Sequence, residues 1–524
     1  MLIHAGLPDD IAKLKAMVLE RESALTAKDL IVGQLREQVS THTLEIEHLK
    51  LLIAKLKRMQ FGRKSEKLDH EILQLELRLE ELQVDQGVVQ VEAPAQQANR
   101  LPAKRAPLPP HLPRDVQIYL PQDAAACSQC GGSMKLLGQA VSEQLEYVPA
   151  SFKVIRHVRP KYACACCDHI AQAAAPTRPI ARGMAGPSLL SHVLVAKYCD
   201  HLPLYRQSIM YAREGVTLER ATMAEWVGAA SNLLAPLVDA IRRHVMAASK
   251  LHADDTPVPV LAPGRGKTKT GRLWVYVRDD RPAAGTAAPA VWFAYTGNRK
   301  GEHPQRHLAR YCGVLQADAY GGYHAIYETQ RVVEAACWAH ARRKFYELDQ
   351  ARPSILTRQA LNRIGELYAI EAKIRGKPPD ERRRIRQTES RPLLDALHAW
   401  FRTTMETLSV KSDTTAAILY ALNRWQALTR YCDDGAIEID NSAAERALRG
   451  VALGRKNYLF AGADSGGERA AAIYSLVETA KLNGIDPEAY LRQVLTYIAD
   501  YPTNRIEDLL PWNLMMHSMI EKAA

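Results

Sequence analysis

Apolar residues recur at heptad spacing from Ile11 to Leu56. With Ile11 at position a, the a positions are Ile11, Val18, Leu25, Val32, Val39, Ile46 and Ile53, all apolar. The d positions are Leu14, Arg21, Lys28, Leu35, His42, Leu49 and Leu56, so polar residues interrupt the middle of the seam. β-branched residues at a, Leu at d and a few polar layers predict a parallel two-stranded coiled coil with a second copy of the chain. A long amphipathic helix folded onto its own domain is the alternative. Gly62 ends this helix, Ser65 can cap another, and Ile72, Leu75, Leu79 and Leu82 keep helical spacing up to Gly87. Residues 1–86 are thus read as a coiled coil plus a second helix. Residues 87–113, with Pro94, Pro102, Pro107, Pro109, Pro110 and Pro113 around Lys104 and Arg105, form an extended basic linker.

Beyond the linker the period changes several times. Short strand-like pieces such as Gln144–Val148 and Phe152–Ile155 predict a β-rich module over 114–180. Residues 181–247 turn helical, and Tyr211 to Trp226, with Gly215 between two helical stretches and a cap near Thr222, has the outline of a helix-turn-helix. An ordinary helical pair fits the same outline. Five strand candidates come next: His252–Leu261, Leu273–Val277, Val291–Tyr295, Gly313–Ala317 and Val332–Ala336. Strands interleaved with helices predict an α/β core whose first part is 248–350. Purely helical periodicity over 351–432, including Arg382-Arg383-Arg384-Ile385-Arg386, reads as an insertion. Residues 433–485 complete the core and 486–524 form a helical tail, so the fold class is multidomain α/β.

The 524 residues exceed one ordinary core, which favours several domains over a lone binding module. Charge interrupts every apolar run well before the ~20 residues of a membrane span, and the N-terminus has no signal-peptide pattern. A cytoplasmic location without membrane contact is expected. Lys and Arg number 69 against 58 Asp and Glu, a formal charge of +11 that favours a polyanionic partner, nucleic acid first.

Two constellations carry chemistry. Cys127-Ser128-Gln129-Cys130-Gly131-Gly132 and Cys164-Ala165-Cys166-Cys167 supply two Cys-x2-Cys knuckles, Cys127 with Cys130 and Cys164 with Cys167, the donor set of a structural Zn²⁺. Cys164-x-Cys166 is a poorer pairing, and a metal-free thiol cluster is the alternative. A closed four-thiolate shell has no open position for catalysis. The second constellation is acidic: Asp254 in a strand-like stretch, Asp318 at the end of another, and Glu445 at the start of a capped helix. Three such carboxylates can converge on a pair of Mg²⁺ or Mn²⁺ ions and serve phosphoryl transfer. Singly, each is more often a cap, a surface charge or an ion-pair partner.

The runs Asp254-Asp255-Thr256-Pro257-Val258, Gln316-Ala317-Asp318-Ala319-Tyr320-Gly321-Gly322-Tyr323 and Cys337-Trp338-Ala339-His340-Ala341-Arg342-Arg343-Lys344-Phe345 bring in a resemblance. Together with Asp440-Asn441, Glu445 to Arg449, Gly454 to Gly462, Leu509 to Trp512, Phe61 to Glu66, His201 to Arg206 and the cysteine knuckles, the chain resembles the insertion-sequence 66 family of DDE transposases over nearly its whole length. The resemblance implies an RNase H-like core with Asp254, Asp318 and Glu445 as its Mg²⁺- or Mn²⁺-binding triad. It implies hydrolysis at the ends of an insertion element and transfer of the freed 3′-hydroxyl into target DNA. Asp255 stands where the family usually has Glu, which leaves open which of the adjacent pair faces the metal; the motif favours Asp254. Cys337-x2-His340, lacking a second Cys or His pair nearby in sequence, is assigned to packing or DNA-backbone contact. Arg63, Lys64, Arg342, Arg343, Lys344, Arg455 and Lys456 are expected phosphate contacts. Expected partners are double-stranded DNA, at least one further copy of the chain, and accessory transposition proteins, in a bacterial cytoplasm with the protein on the nucleoid when bound to DNA. A non-catalytic DNA-bridging protein and a nuclease without strand transfer are the competing functions.

Overall fold

The computed structural model describes residues 108–120, 130–148, 151–167, 169–262, 267–458 and 460–514. The predicted coiled coil, most of the linker, Arg63, Lys64 and Cys127 lie outside the described residues. The chain divides into two compact units, Met1–Pro94 and Ala95–Ala524, and every described residue belongs to the second.

A small sheet comes first. Strand β2 (Met134–Val148) forms a long hairpin with β3 (Ser151–Cys164), β1 (Arg114–Ile118) lies parallel to β3, and β4 (Ile170–Gln172) pairs with β3 near its end. Both hairpin strands are longer than their alternation suggested. One face is apolar and packed through Leu145, Phe152 and Val154, while Val116, Ile118 and Leu136 stay exposed. Glu146 ties the sheet to the first helix, its carboxylate accepting the Leu189 N–H at 3.0 Å. That bond satisfies a donor of the first turn of α1 (Pro187–Tyr198), which has no capping side chain of its own.

Helices α2 (Leu204–Arg213) and α3 (Arg220–Met246) are joined through Gly215 at φ +79°. The second helix begins at Arg220, so Thr222 lies inside it and is not its cap. It runs 27 residues, and Trp226, Leu234 and Ile241 are buried in the main core.

The five expected strands all form: β5 (Lys250–Val260), β6 (Lys269–Arg278), β7 (Ala290–Thr296), β8 (Gly313–Gln316) and β9 (Val332–Ala335). Their order is β7-β6-β5-β8-β9, with β5, β6 and β7 antiparallel and β8 and β9 parallel to β5. Leu273 through Val277 of β6 are all buried, the sign of a strand covered on both faces. Two short helices, α4 (Glu302–His307) and α5 (His324–Tyr327), flank β8.

Helices α6 (Trp338–Ala351), α7 (Ile355–Ile374), α8 (Pro379–Ile385), α9 (Arg391–Glu406), α10 (Asp413–Leu422) and α11 (Trp425–Thr429) surround a second apolar core. Phe345 stacks on Phe401 with ring centres 5.6 Å apart, and the Trp338 indole donates to the Leu428 carbonyl at 2.8 Å. Ser354 and Thr357 form a capping box that starts α7. The cationic run, which begins on α8 and ends just past it at Arg386, does not face solvent as a whole: Arg382 and Arg386 are 1% and 0% exposed. Arg386 holds Glu371 through two bonds of 2.7 Å, and Arg382 reaches Glu438 at 3.0 Å.

The chain then returns to the sheet. The Gln316 side chain donates to the Glu438 carbonyl at 2.8 Å and accepts its N–H at 2.9 Å. Helix α12 (Ser442–Asn457) leads to an isolated bridge between Ala461 and Val260, and α13 (Asp464–Leu482) and α14 (Pro487–Tyr497) close the structure. Asp486 caps α14 and Pro487 occupies its first turn. No helix among the described residues is long and apolar enough to cross a membrane.

Candidate functional site

Asp254 lies in β5, the central strand, and Asp318 lies two residues past the end of the adjacent β8. Glu445 lies in the first turn of α12. Burial pushes the Asp254 carboxyl well above the ordinary range, and the charges of Asp318 and then Glu445 push it further. Both neighbouring charges therefore act on Asp254. Among the described residues no Lys or Arg pairs with Asp254. A crowded carboxylate without a compensating cation is the environment a hard divalent ion relieves, although among the described residues the groups of three donors within 4.8 Å of one another are Cys130, Cys164 and Cys167, and Cys337, His340 and Glu445, and not the three acids.

The neighbouring Asp255 points the other way, as strand alternation requires. Its side chain is 2% exposed and clamped between Arg272 at 2.9 Å and Arg299 at 2.7 Å. Arg299 also stands 3.6 Å from Asp318 and stacks over the Tyr320 ring at 4.1 Å. Asp318 is further held by the Tyr320 N–H at 3.1 Å. Neither Arg272 nor Arg299 carries a sequence signal, because nothing in its local pattern indicates a partner on another strand.

Asn441 is a third residue whose role the sequence did not show. It occupies the cap position of α12, but its side chain does not cap the helix. The fully buried amide instead donates to the Ala253 carbonyl at 2.8 Å and accepts from His252 Nδ1 at 3.1 Å. Burial pushes His252 down to about 3, so the ring is neutral and donates through Nδ1. The Asn441 carbonyl accepts the N–H groups of Ala444 at 3.1 Å and Glu445 at 3.4 Å. One residue thus fixes the helix bearing Glu445 against the strand bearing Asp254.

Glu445 has His340 Nε2 3.6 Å from one oxygen and Arg343 4.0 Å from the other. Strand β9 stops at Ala335, and Cys337 is the cap residue of α6. Of the expected phosphate contacts, Lys344 and Lys456 are exposed. Lys344 lies 4.6 Å from the centre of the Tyr420 ring. Arg342 and Arg343 are half-buried. Arg455 is half-buried as well, donates to the Pro257 carbonyl, and is pushed down to about 10 by burial.

In the small sheet, Cys130 Sγ lies 3.3 Å from Cys164 Sγ and 3.4 Å from Cys167 Sγ. A tetrahedral Zn–thiolate site with bonds of about 2.3 Å has sulfur–sulfur edges of roughly 3.8 Å, so the trio needs little adjustment to hold an ion. The Cys166 N–H, the largest influence, and neighbouring Cys130 push Cys164 down to about 6, which favours its thiolate near neutral pH. Gly132 is required at its place: a Cβ there would lie 2.8 to 3.4 Å from the sulfurs of Cys166, Cys164 and Cys130.

Four family profiles match the chain. "Transposase IS66 family" covers residues 182–469, "zinc-finger binding domain of transposase IS66" covers 125–168, "Transposase C of IS166 homeodomain" covers 48–116, and "IS66 C-terminal element" covers 475–512. Among curated proteins, y4hP of Sinorhizobium fredii is 42% identical over 489 residues, 88% of each chain. Two more from that organism, y4qI and y4jD, are 38% and 35% identical over 97% and 98% of this chain and 98% of their own. All three are described as uncharacterized proteins. The chain belongs to the IS66 transposase family. Membership implies a nuclease or transferase activity on DNA, and the profile over the cysteines carries the expectation of a structural metal.

Proposed function

We propose that the protein is a DDE transposase in which Asp254, Asp318 and Glu445 hold two Mg²⁺ or Mn²⁺ ions at the edge of an RNase H-like core. The placement of Asp254 on the central strand, Asp318 just past the adjacent strand and Glu445 in the first turn of α12 carries this reading, and the raised Asp254 carboxyl agrees with it. The sheet order, with three antiparallel strands followed by two parallel ones, supports it. When bound, two such ions activate the attacking oxygen and stabilise the leaving oxygen of a phosphodiester.

The protein's own groups do the rest by position. Asp254 is fixed by a central strand, Asp318 by the Tyr320 N–H, and Glu445 by the Asn441 clamp. Arg299, held on Asp255, keeps positive charge beside Asp318, where the transferred phosphate's charge would be oriented. Hydrolysis at an element end frees a 3′-hydroxyl, and the same acids then serve its attack on target DNA, with no covalent enzyme intermediate. Cys127, Cys130, Cys164 and Cys167 hold a structural Zn²⁺, and the 11–56 seam joins two copies. Element ends and target DNA are the partners, with phosphates resting on Arg63, Lys64, Arg342, Arg343, Lys344 and Lys456; accessory transposition proteins act beside it.

The test is cleavage of labelled DNA carrying the element's own ends, in Mg²⁺ or Mn²⁺. Asp318→Asn should lower cleavage by about 10³-fold or more at unchanged DNA affinity. Cleavage unaffected by that change refutes the assignment. Binding without cleavage in the native protein would leave the DNA-bridging function.

A further inference from the structure

We infer that Cys337, His340 and Glu445 form a second metal site, for a sulfur-tolerant divalent cation of the Zn²⁺ class, which shares Glu445 with the proposed acidic triad. The cluster stands on its own geometry; only its consequence for activity rests on the DDE reading.

One donor atom from each of the three residues lies within 4.8 Å of the others. Cys337 immediately precedes α6 and His340 is in its first turn, so the i, i+3 spacing presents sulfur and imidazole on one side. Glu445 enters from the first turn of α12. The two turns are locked together, because the Asn441 N–H donates to Cys337 Sγ at 3.1 Å. A backbone donor on sulfur is the kind of outer contact that orients and stabilises a metal-bound thiolate. His340 Nε2 stands 3.6 Å from Glu445 Oε1, and its Nδ1 is buried without a hydrogen-bond partner among the described residues. Cys337 is a free thiol, 3% exposed, with no role in the proposed chemistry.

A thiolate, an imidazole and a carboxylate form a donor set that Zn²⁺ accepts and that Mg²⁺, which prefers oxygen, does not. Three protein ligands also leave a fourth position open, unlike the thiolate knuckles. An ion held there takes Glu445 away from the hard-metal site. Zinc should therefore oppose Mg²⁺-dependent cleavage by competition for one carboxylate.

The full chain, loaded with Zn²⁺ and then washed with a weak chelator that empties a three-ligand site but leaves the four-thiolate module filled, is titrated with Co²⁺. We expect about one further equivalent with a sulfur-to-cobalt charge-transfer band in the near ultraviolet. Cys337→Ala should abolish the band, and His340→Gln should weaken Co²⁺ binding by at least about 10-fold. Thermal melts matching the parent protein show that the variants fold. Absence of the band in the parent protein, or its persistence in Cys337→Ala, overturns the proposal. Asp254→Asn and Asp318→Asn should lose cleavage yet keep the band, so failure of the triad and failure of this site are read separately. In the cleavage assay, Cys337→Ala should need at least about 10-fold more Zn²⁺ than the parent for equal inhibition. Equal sensitivity would overturn the competition.

Discussion

At the scale of the residue, Asp254 and Asp255 show how one step along a strand separates two fates. Asp255 is satisfied by two guanidinium groups, whereas Asp254 faces two other acids. Removing Asp255's charge takes away Arg272's counter-charge and one of Arg299's two, and both guanidiniums are partly exposed, so Asp255→Asn should destabilise the fold by about 1–2 kcal/mol, read from chemical denaturation. Asp254→Asn should do the reverse in metal-free protein at neutral pH, raising stability by about 1–2 kcal/mol while abolishing cleavage. The raised carboxyl sets the sign of the pH dependence. Its proton is held more tightly in the folded than in the unfolded chain, so ionisation disfavours the fold. Metal-free stability should fall as pH rises from the unfolded value toward the raised folded one. Mg²⁺ should then protect more at alkaline than at mildly acidic pH, because it replaces that proton. Melting temperatures across pH with and without Mg²⁺ check this, and an Mg²⁺ effect independent of pH in parent and Asp254→Asn alike contradicts it.

At the scale of the element, what the chain revealed depended on whether a pattern was local. The five core strands announce themselves by short apolar runs between turns, and each forms within a few residues of its expected bounds. The second cysteine knuckle was legible for the same reason: spacing within one turn sets Cys164 and Cys167, which meet Cys130, while Cys127 lies outside the described residues. Arg382 and Arg386 were not, because their partners lie at Glu371 and Glu438, on segments that a cationic run cannot reveal. The same holds for Cys337 and His340, which meet Glu445 only after a helical excursion folds back. The Gly215 turn was legible, but the inward face of α3 was not, since burial of Trp226 depends on a core assembled from distant segments. The buried charge network carries its own prediction. Glu371→Gln leaves Arg386, fully buried, without a counter-charge and should cost about 3–5 kcal/mol. Replacing all members with apolar residues of similar volume should cost much less, and a loss under about 1 kcal/mol for Glu371→Gln would show that the network is not coupled to folding.

At the scale of the whole molecule, a formal charge of +11 supplies DNA affinity that does not depend on the acidic site. Chemistry and binding should therefore separate: a triad variant keeps the affinity and its salt dependence, and a basic variant changes both. The structure divides the basic residues further. Lys344 is exposed and available to a phosphate, whereas Arg455 is half-buried and bonded to the Pro257 carbonyl of the strand that carries Asp254. Lys344→Ala should weaken binding to all sequences alike and lower the slope of log K against log salt by about 0.9, the share of one phosphate contact. Arg455→Ala should leave that slope unchanged and lower the melting temperature, because it removes a bond between α12 and β5. Titrations at several salt concentrations beside thermal melts distinguish the two. If Arg455→Ala lowers the slope and spares stability, Arg455 leaves Pro257 for DNA on binding, and the edge of the core near Asp254 rearranges when the duplex arrives.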